Sequence, residues 1–193
     1  MTRRLIVGIT GASGVIYGIR ALEMLKTLNV ETHLVLSPAA KATIAQETGW
    51  KVSEVEALAS AKHDHRDVGA ALASGSFPTM GMLIAPCSVK TLSAVAHSYS
   101  TDLISRAADV CLKEGRPLLL LVRETPLHKG HLRLMLQAAD AGAIVFPPVP
   151  AFYGHPKTID DLVNGTVGRA LARLGIENDA YYRWTGMGAP VST

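Results

Sequence analysis

The chain of 193 residues is poor in several things. It has two cysteines, Cys87 and Cys111, which build neither a disulfide framework nor a zinc-type spacing. No stretch of 18 apolar residues occurs, which excludes a membrane-spanning helix by pattern. The first apolar run, directly after Arg3 and Arg4, is too short for a signal segment, so a soluble, cytoplasmic protein with no membrane partner is expected. Basic residues never run longer than that Arg pair, and the net charge is only +3, so ordinary surface charge accounts for them and no nucleic-acid partner is expected. There is no internal repeat and no low-complexity linker.

What remains is the composition of one globular unit: 48% hydrophobic and 18% charged, too apolar for disorder and long enough for one full core. "RLIVGIT", "VETHLVL", "GMLIAP", "PLLLLV" and "AIVFPP" read as strands apolar on both faces, as a sheet covered on both sides requires. Helical periodicity fills the intervals, at about 15–28, 38–48, 53–60, 88–97, 102–114, 128–141 and 158–174. The alternation predicts an α/β fold with a doubly wound parallel sheet in a single domain over 1–175. The tail 176–193 loses periodicity and is either a frayed end or an arm that docks on another subunit.

In such a sheet ligands bind beyond the carboxyl ends of the strands, so the loops there carry the chemistry. "VGITGASG" ends a strand in a short glycine turn at Gly11-Ala12-Ser13-Gly14 that opens a helix. It has neither the full G-x-G-x-x-G pattern nor GK[ST]; it suits a single phosphate or mononucleotide, or a turn needed only for packing. Ser37-Pro38 is a helix cap with proline at the first position. Glu47 falls near the C-terminal end of that helix, where the dipole disfavours a carboxylate. "PCSVKTL" places Ser88, Val89, Lys90 and Thr91 at a helix start, an anion-ready arrangement in which a cation such as Lys90 is otherwise out of place. Cys87 reads as a small buried hydrophobe.

Further along, Arg106 and Lys113 are seven apart and share one helix face, in a helix that also carries Ala107, Ala108, Val110, Cys111 and Leu112. That is more apolar surface than one sheet face needs, and with Tyr181, Tyr182 and Trp184 in the tail it predicts a homo-oligomer whose site is completed across a subunit boundary by Lys113 or the Trp184 arm. Arg123 and Glu124 fall at the carboxyl end of a strand, where such a pair is either a surface ion pair or a phosphate clamp with a proton donor. "PPVPAFYGHP" offers stiff pocket walls around Phe152 and Tyr153, with Arg169 in the next helix. His63 and His65, two apart in a polar stretch, read as a solvated loop and not as metal ligands.

"TGASG", "ETG", "SGS" at 74–76, "PCSVKTL", "RAADVCLKEGRPLLLLVRETP", "HLRLML" and "FYGHP", in this order, resemble the UbiX-like flavin prenyltransferase family, including members once described as phenylacrylic acid decarboxylases. The likeness spans about residues 4 to 175. It implies a flavodoxin-like Rossmann variant that binds reduced FMN as cofactor and substrate. It also implies transfer of a dimethylallyl group from dimethylallyl phosphate to N5 and C6 of the flavin, without a metal. The prenylated FMN would serve a UbiD-type decarboxylase, and the assembly would be a dodecamer.

Matched residue by residue, the resemblance implies FMN contacts at Gly11, Ala12, Ser13, Ser37, Ser88 to Thr91 (with Val89 and Lys90 between) and Arg123. Prenyl-phosphate contacts fall on Lys113, Tyr153 and Arg169, with Ser74 and Arg106 close by. Catalytic roles fall on Ser13, Glu47 and Glu124: Glu124 would protonate the departing phosphate, and Glu47 with Ser13 would manage the flavin protons. The sequence departs from the pattern at Val122, where the family often has proline, and at Lys90, where many members have glycine and a decarboxylase-operon subgroup has lysine. Two other readings compete. An FMN-dependent aromatic-acid or cysteine-type decarboxylase would decarboxylate without a UbiD partner. A non-catalytic flavin carrier would not need Lys113, Arg123 and Arg169.

Overall fold

A computed structural model describes residues 3–187, so residues 188–193 of the expected tail lie outside the described part. Strands β1 (Arg4–Ile9), β2 (Glu31–Leu36), β3 (Ala61–His63), β4 (Met82–Cys87), β5 (Leu118–Val122) and β6 (Ile144–Val145) form one all-parallel sheet in the order 3-2-1-4-5-6. Helices α1 (Val15–Thr27), α2 (Pro38–Glu47), α3 (Val52–Glu56), α4 (Val89–Ala96), α5 (Leu103–Lys113), α6 (Lys129–Asp140) and α7 (Ile159–Arg173) cover it.

The leucine run of β5 shows how the two layers are fed. Leu119 and Leu121 join one core with β1, α1, α2 and α7, while Leu118, Leu120 and Val122 join the other, with α4, α5 and α6. Successive side chains of a strand point to opposite faces, so a strand covered on both sides must be apolar throughout. Each leucine is at most 1% exposed, and Leu119→Ala would cost about 2–5 kcal/mol through the cavity it leaves.

Between β1 and β4 the strand order reverses, because β1 to β3 build the sheet one way and β4 to β6 the other. This switch point leaves a crevice at the carboxyl ends of β1 and β4, where ligands of doubly wound sheets bind. Without the three-residue edge strand β3, the remaining order is the five-stranded flavodoxin arrangement.

Two features depart from the sequence reading, and a third adds detail to the tail. The segment holding His63 is the edge strand β3 and not a solvated loop: His63 stacks on His33 at 5.2 Å, and their ring nitrogens meet at 2.9 Å. His65 lies 3.4 Å from Asp102, the N-cap of α5. A three-residue strand has no periodic apolar signature to read. The apolar residues of α5 do not form an exposed patch, since Leu103, Ile104, Ala107, Ala108, Val110 and Cys111 are all buried. Leu72 of the 3₁₀ turn Ala71–Ala73, with Phe77, packs into the same core and closes the side left open by the sheet. Finally, the start of the tail folds onto its own α7, where Asn178 Nδ2 donates to the Gly168 carbonyl at 2.9 Å. A Cβ on Gly168 would come within 2.7 Å of Asn178 Oδ1.

Candidate functional site

At the switch point β1 is followed by Thr10, fully buried, whose hydroxyl donates to the Pro86 carbonyl at 2.7 Å and accepts from the Ser88 amide at 2.8 Å. Thr10 thereby ties the first glycine loop to the loop after β4. Beyond it the chain passes Gly11, where a Cβ would lie 2.3 Å from that of Ala39, so only glycine fits between the loop and the first turn of α2. Gly14 is the N-cap of α1 with φ 97°, a left-handed backbone that glycine adopts without strain.

Gly14 cannot cap α1 with a side chain; Glu47 does so from the other end of α2. Glu47 Oε2 accepts from the Gly14 amide at 2.8 Å. Partial burial opposes its ionisation, but the Ser13 hydroxyl, the Gly14 and Val15 amides and the nearby Arg123 charge outweigh it and hold the carboxyl below the ordinary carboxylate range. The dipole conflict read from the sequence is thus resolved. Glu47 is misplaced for its own helix and correctly placed for the positive end of α1.

Two more helix N-termini converge on the crevice. Ser37 caps α2, accepting from the Ala40 amide at 3.1 Å, and Ser88 caps α4, accepting from the Thr91 amide at 3.3 Å with the Thr91 hydroxyl 3.2 Å away. Val89 is the first residue of α4. Arg123 follows β5, and its amide donates to the Cys87 carbonyl at 3.1 Å. Its charge also reaches the Tyr17 phenol, which burial raises and Arg123 lowers. Glu124 is exposed, with Oε1 accepting from the Thr125 amide at 2.9 Å. Lys90 is exposed on the α4 face shared with Ser93 and His97. Cys87 is fully buried, and burial drives its thiol far above the ordinary range, which removes it as a nucleophile.

The structure brings together Gly11, Ala12, Ser13, Ser37, Glu47, Ser88 and Arg123, with Val89, Lys90 and Thr91 in the turn of α4 that Ser88 opens and Glu124 next to Arg123, but the prenyl-phosphate candidates lie in two other places. Tyr153 and Arg169 share a groove of about 1010 Å³ between α1 and α7, walled also by Arg20, Phe146 and Tyr182. Arg169 lies over the Tyr181 ring at 5.7 Å, and Tyr153 contacts Tyr182 and Trp184 at ring distances of 5.7 and 5.8 Å.

Lys113 and Ser74 lie at the opposite, N-terminal edge of the sheet. Lys113 Nζ pairs with Glu114 at 2.6 Å, and both are packed against Gly75. Arg106, nearer the start of α5, pairs with Asp109 at 3.1 Å. Since β5 lies between Lys113 and Arg123, the two ends are separated by about 17 Å of strand, more than a lysine side chain spans. Thr10 was missed by sequence reasoning, although a lone hydroxyl closing an apolar strand one residue before a glycine turn was there to be read.

A crevice at the switch point of an all-parallel sheet, ringed by three helix N-termini, defines a mononucleotide-binding protein of the doubly wound class. The Flavoprotein family model matches residues 1–171. The flavin prenyltransferase UbiX of Salmonella typhimurium is 58% identical over 187 residues, covering 95% of this chain and 99% of that protein. AnUbiX, solved in complex with FMN and dimethylallyl pyrophosphate, is 49% identical at a TM-score of 0.94, over 96% of this chain and 99% of that one. A dodecameric FMN-dependent UbiX-like decarboxylase from Escherichia coli O157:H7 is 48% identical at a TM-score of 0.92, over 95% of this chain and all of that one. The chain belongs to the UbiX family of flavin prenyltransferases within the flavoproteins.

Proposed function

We propose that the chain joins a dimethylallyl group from dimethylallyl phosphate to N5 and C6 of reduced FMN, and that the prenylated flavin passes to a UbiD-type decarboxylase. The observation that carries this reading is the Glu47 carboxylate held by Ser13 and Gly14 at the start of α1, under the Arg123 charge. The relatives named above support it at the level of the whole chain. The FMN-dependent cysteine decarboxylase TvaF is 13% identical over 75% of this chain, which speaks to the fold alone.

The residues present fit FMN. Gly11 keeps the loop bare of a side chain, and the capped N-termini of α2 and α4 offer hydroxyls and amides to an anion. Gly11, Ala12, Ser37, Ser88, Val89, Lys90 and Thr91 would hold it, with Arg123 beside the ring. FMN, when bound, supplies the electron-rich ring that accepts the prenyl group. Ser13 and Glu47 hold a proton at the Ser13 hydroxyl, ready to exchange with the ring. Glu124 delivers a proton to the oxygen of the leaving phosphate, and Arg123, Lys113, Arg169 and the Tyr153 hydroxyl stabilise the charge that grows there.

Lys113 cannot reach Arg123 within its own chain, so the functional form is a homo-oligomer in which the N-terminal edge of one subunit meets the crevice of another. Exposed Leu132 and Leu136 on α6, with Phe152 and Trp184, supply the apolar surface for such contacts, the role α5 does not fill. Anaerobic incubation with reduced FMN and dimethylallyl phosphate, followed by mass analysis of the flavin, tests the activity. A flavin heavier by one five-carbon prenyl unit is expected, and unchanged FMN would refute it.

A further inference from the structure

At the N-terminal edge a second arginine does something the phosphate chemistry does not require. Arg116, half-buried, donates from Nη1 to the Phe77 carbonyl at 2.8 Å and from Nη2 to the Gly75 carbonyl at 2.7 Å. These two bonds use the planar fork of the guanidinium, which an ammonium cannot reproduce. Ser74, at one end of the clamped loop, is linked to Ser76 by a hydroxyl contact of 2.8 Å. Phe77, at the other end, is anchored under Arg4 at 4.9 Å and edge-on to His33 at 5.0 Å. Between them Gly75 is pressed against the Lys113–Glu114 pair: a Cβ there would lie 2.1 Å from Glu114 Oε1 and 3.0 Å from Lys113 Nζ. The loop backbone is therefore one wall of the seat in which the Lys113 ammonium rests.

We propose that Arg116 is a positioning residue: by clamping Gly75 and Phe77 onto the C-terminal end of α5, it presents Ser74 and Lys113 as one preorganised unit for the phosphate of the prenyl donor. This rests on the reading that Lys113 and Ser74 bind that phosphate. Arg116 touches neither flavin nor donor; it acts through the loop. Releasing the clamp leaves both phosphate ligands in the chain but lets the loop and the ammonium sample other positions, which weakens ground-state capture more than the chemical step.

Arg116→Ala, Arg116→Lys and Gly75→Ala are compared with the unmodified protein for prenyl transfer, FMN affinity and hydrogen exchange of peptides spanning 74–78. Arg116→Ala and Gly75→Ala are expected to raise KM for dimethylallyl phosphate about tenfold with kcat within about twofold and FMN affinity unchanged. Arg116→Lys, which can reach one carbonyl, should recover part of that loss, and exchange over 74–78 should quicken in Arg116→Ala. An unchanged KM, or a loss shared equally by kcat and FMN affinity, overturns the positioning role. If Arg116→Ala does not fold, Arg116→Lys and Gly75→Ala decide by the same criteria. Should the unmodified protein leave FMN unprenylated, the underlying activity is wrong, and slow, unaltered exchange over 74–78 in Arg116→Ala would separately refute the clamp.

Discussion

The two edges of the sheet handle charge in opposite ways. At the C-terminal edge, one carboxylate, Glu47, is tied to a helix N-terminus by backbone and hydroxyl donors, and the cation beside it, Arg123, follows its strand directly. At the N-terminal edge the cations are paired or clamped: Lys113 to Glu114, Arg4 to Glu31 at 2.8 Å, Arg116 to two carbonyls. The first edge gathers three capped helix N-termini with their remaining amides; the second holds its cations on its own carboxylates and carbonyls. Under the proposed function, Lys113 and Ser74 serve the crevice of a neighbouring subunit and not that of their own chain.

The largest effect that would break this comparison belongs to Glu124→Gln, which keeps the side-chain shape and removes the proton. Prenyl transfer is expected to fall by roughly 10²–10⁴-fold with FMN still bound, measured by single-turnover flavin mass analysis. Normal turnover would remove Glu124 from the acid role.

Lys113→Ala tests the other edge. Loss of a charged contact to phosphate should raise KM for dimethylallyl phosphate by about 10–100-fold while FMN affinity stays the same. An equal loss of FMN affinity would place Lys113 elsewhere.

Gly11→Ala sharpens the account of the crevice. The added methyl meets Ala39 at 2.3 Å, an overpacking expected to lower stability by about 1–3 kcal/mol and to weaken FMN binding, read by denaturant unfolding and flavin titration. Wild-type stability and affinity would show that the two loops part freely.

The smallest effect concerns Glu47. Its carboxyl lies below its unfolded value, so the stabilisation is fully present above the ordinary carboxylate range and is lost as pH falls through the lower, folded-state value. Glu47→Ala should cost about 1 kcal/mol at neutral pH, as the loss of a helix cap does. Glu47→Gln should flatten the acid limb of Tm against pH. An acid limb identical to that of the unmodified protein would mean that Glu47 does not cap α1 in solution.

Much of this was legible in the residues. The seven helices follow from periodicity and caps, with Ser37-Pro38 and Ser88 opening α2 and α4 where expected. Four of the apolar runs became β1, β2, β4 and β5 because both faces of the sheet are covered there; the fifth, "AIVFPP", gives only the two-residue, half-buried edge strand β6. β3 was hidden, since three residues are too few to carry a period and its contacts are distant in sequence, His63 and His33 lying 30 residues apart. Glu47 was flagged by the right anomaly, but its partner lies on another helix, 33 residues away, and no local pattern names it. The apolar excess of α5 was misread because its cover, Leu72 and Phe77, comes from a loop with no periodicity of its own. The distance between Lys113 and Arg123 could not be read locally either, because it is set by the strand β5 between them.

The proposed division of the site between subunits is tested most directly by mixing two impaired variants and assaying them at dimethylallyl phosphate well below the KM of Lys113→Ala, where both are nearly silent. Glu124→Gln disables the crevice and Lys113→Ala disables the opposite edge, so each alone forms poor sites. When the two chains are co-expressed in equal amounts and the mixed oligomers isolated, random assembly should give sites with both residues intact at about a quarter of positions, and prenyl transfer should recover to about that fraction. If mixed oligomers remain as inactive as either variant alone, both residues serve the same chain's site, and the two edges do not meet across a subunit boundary.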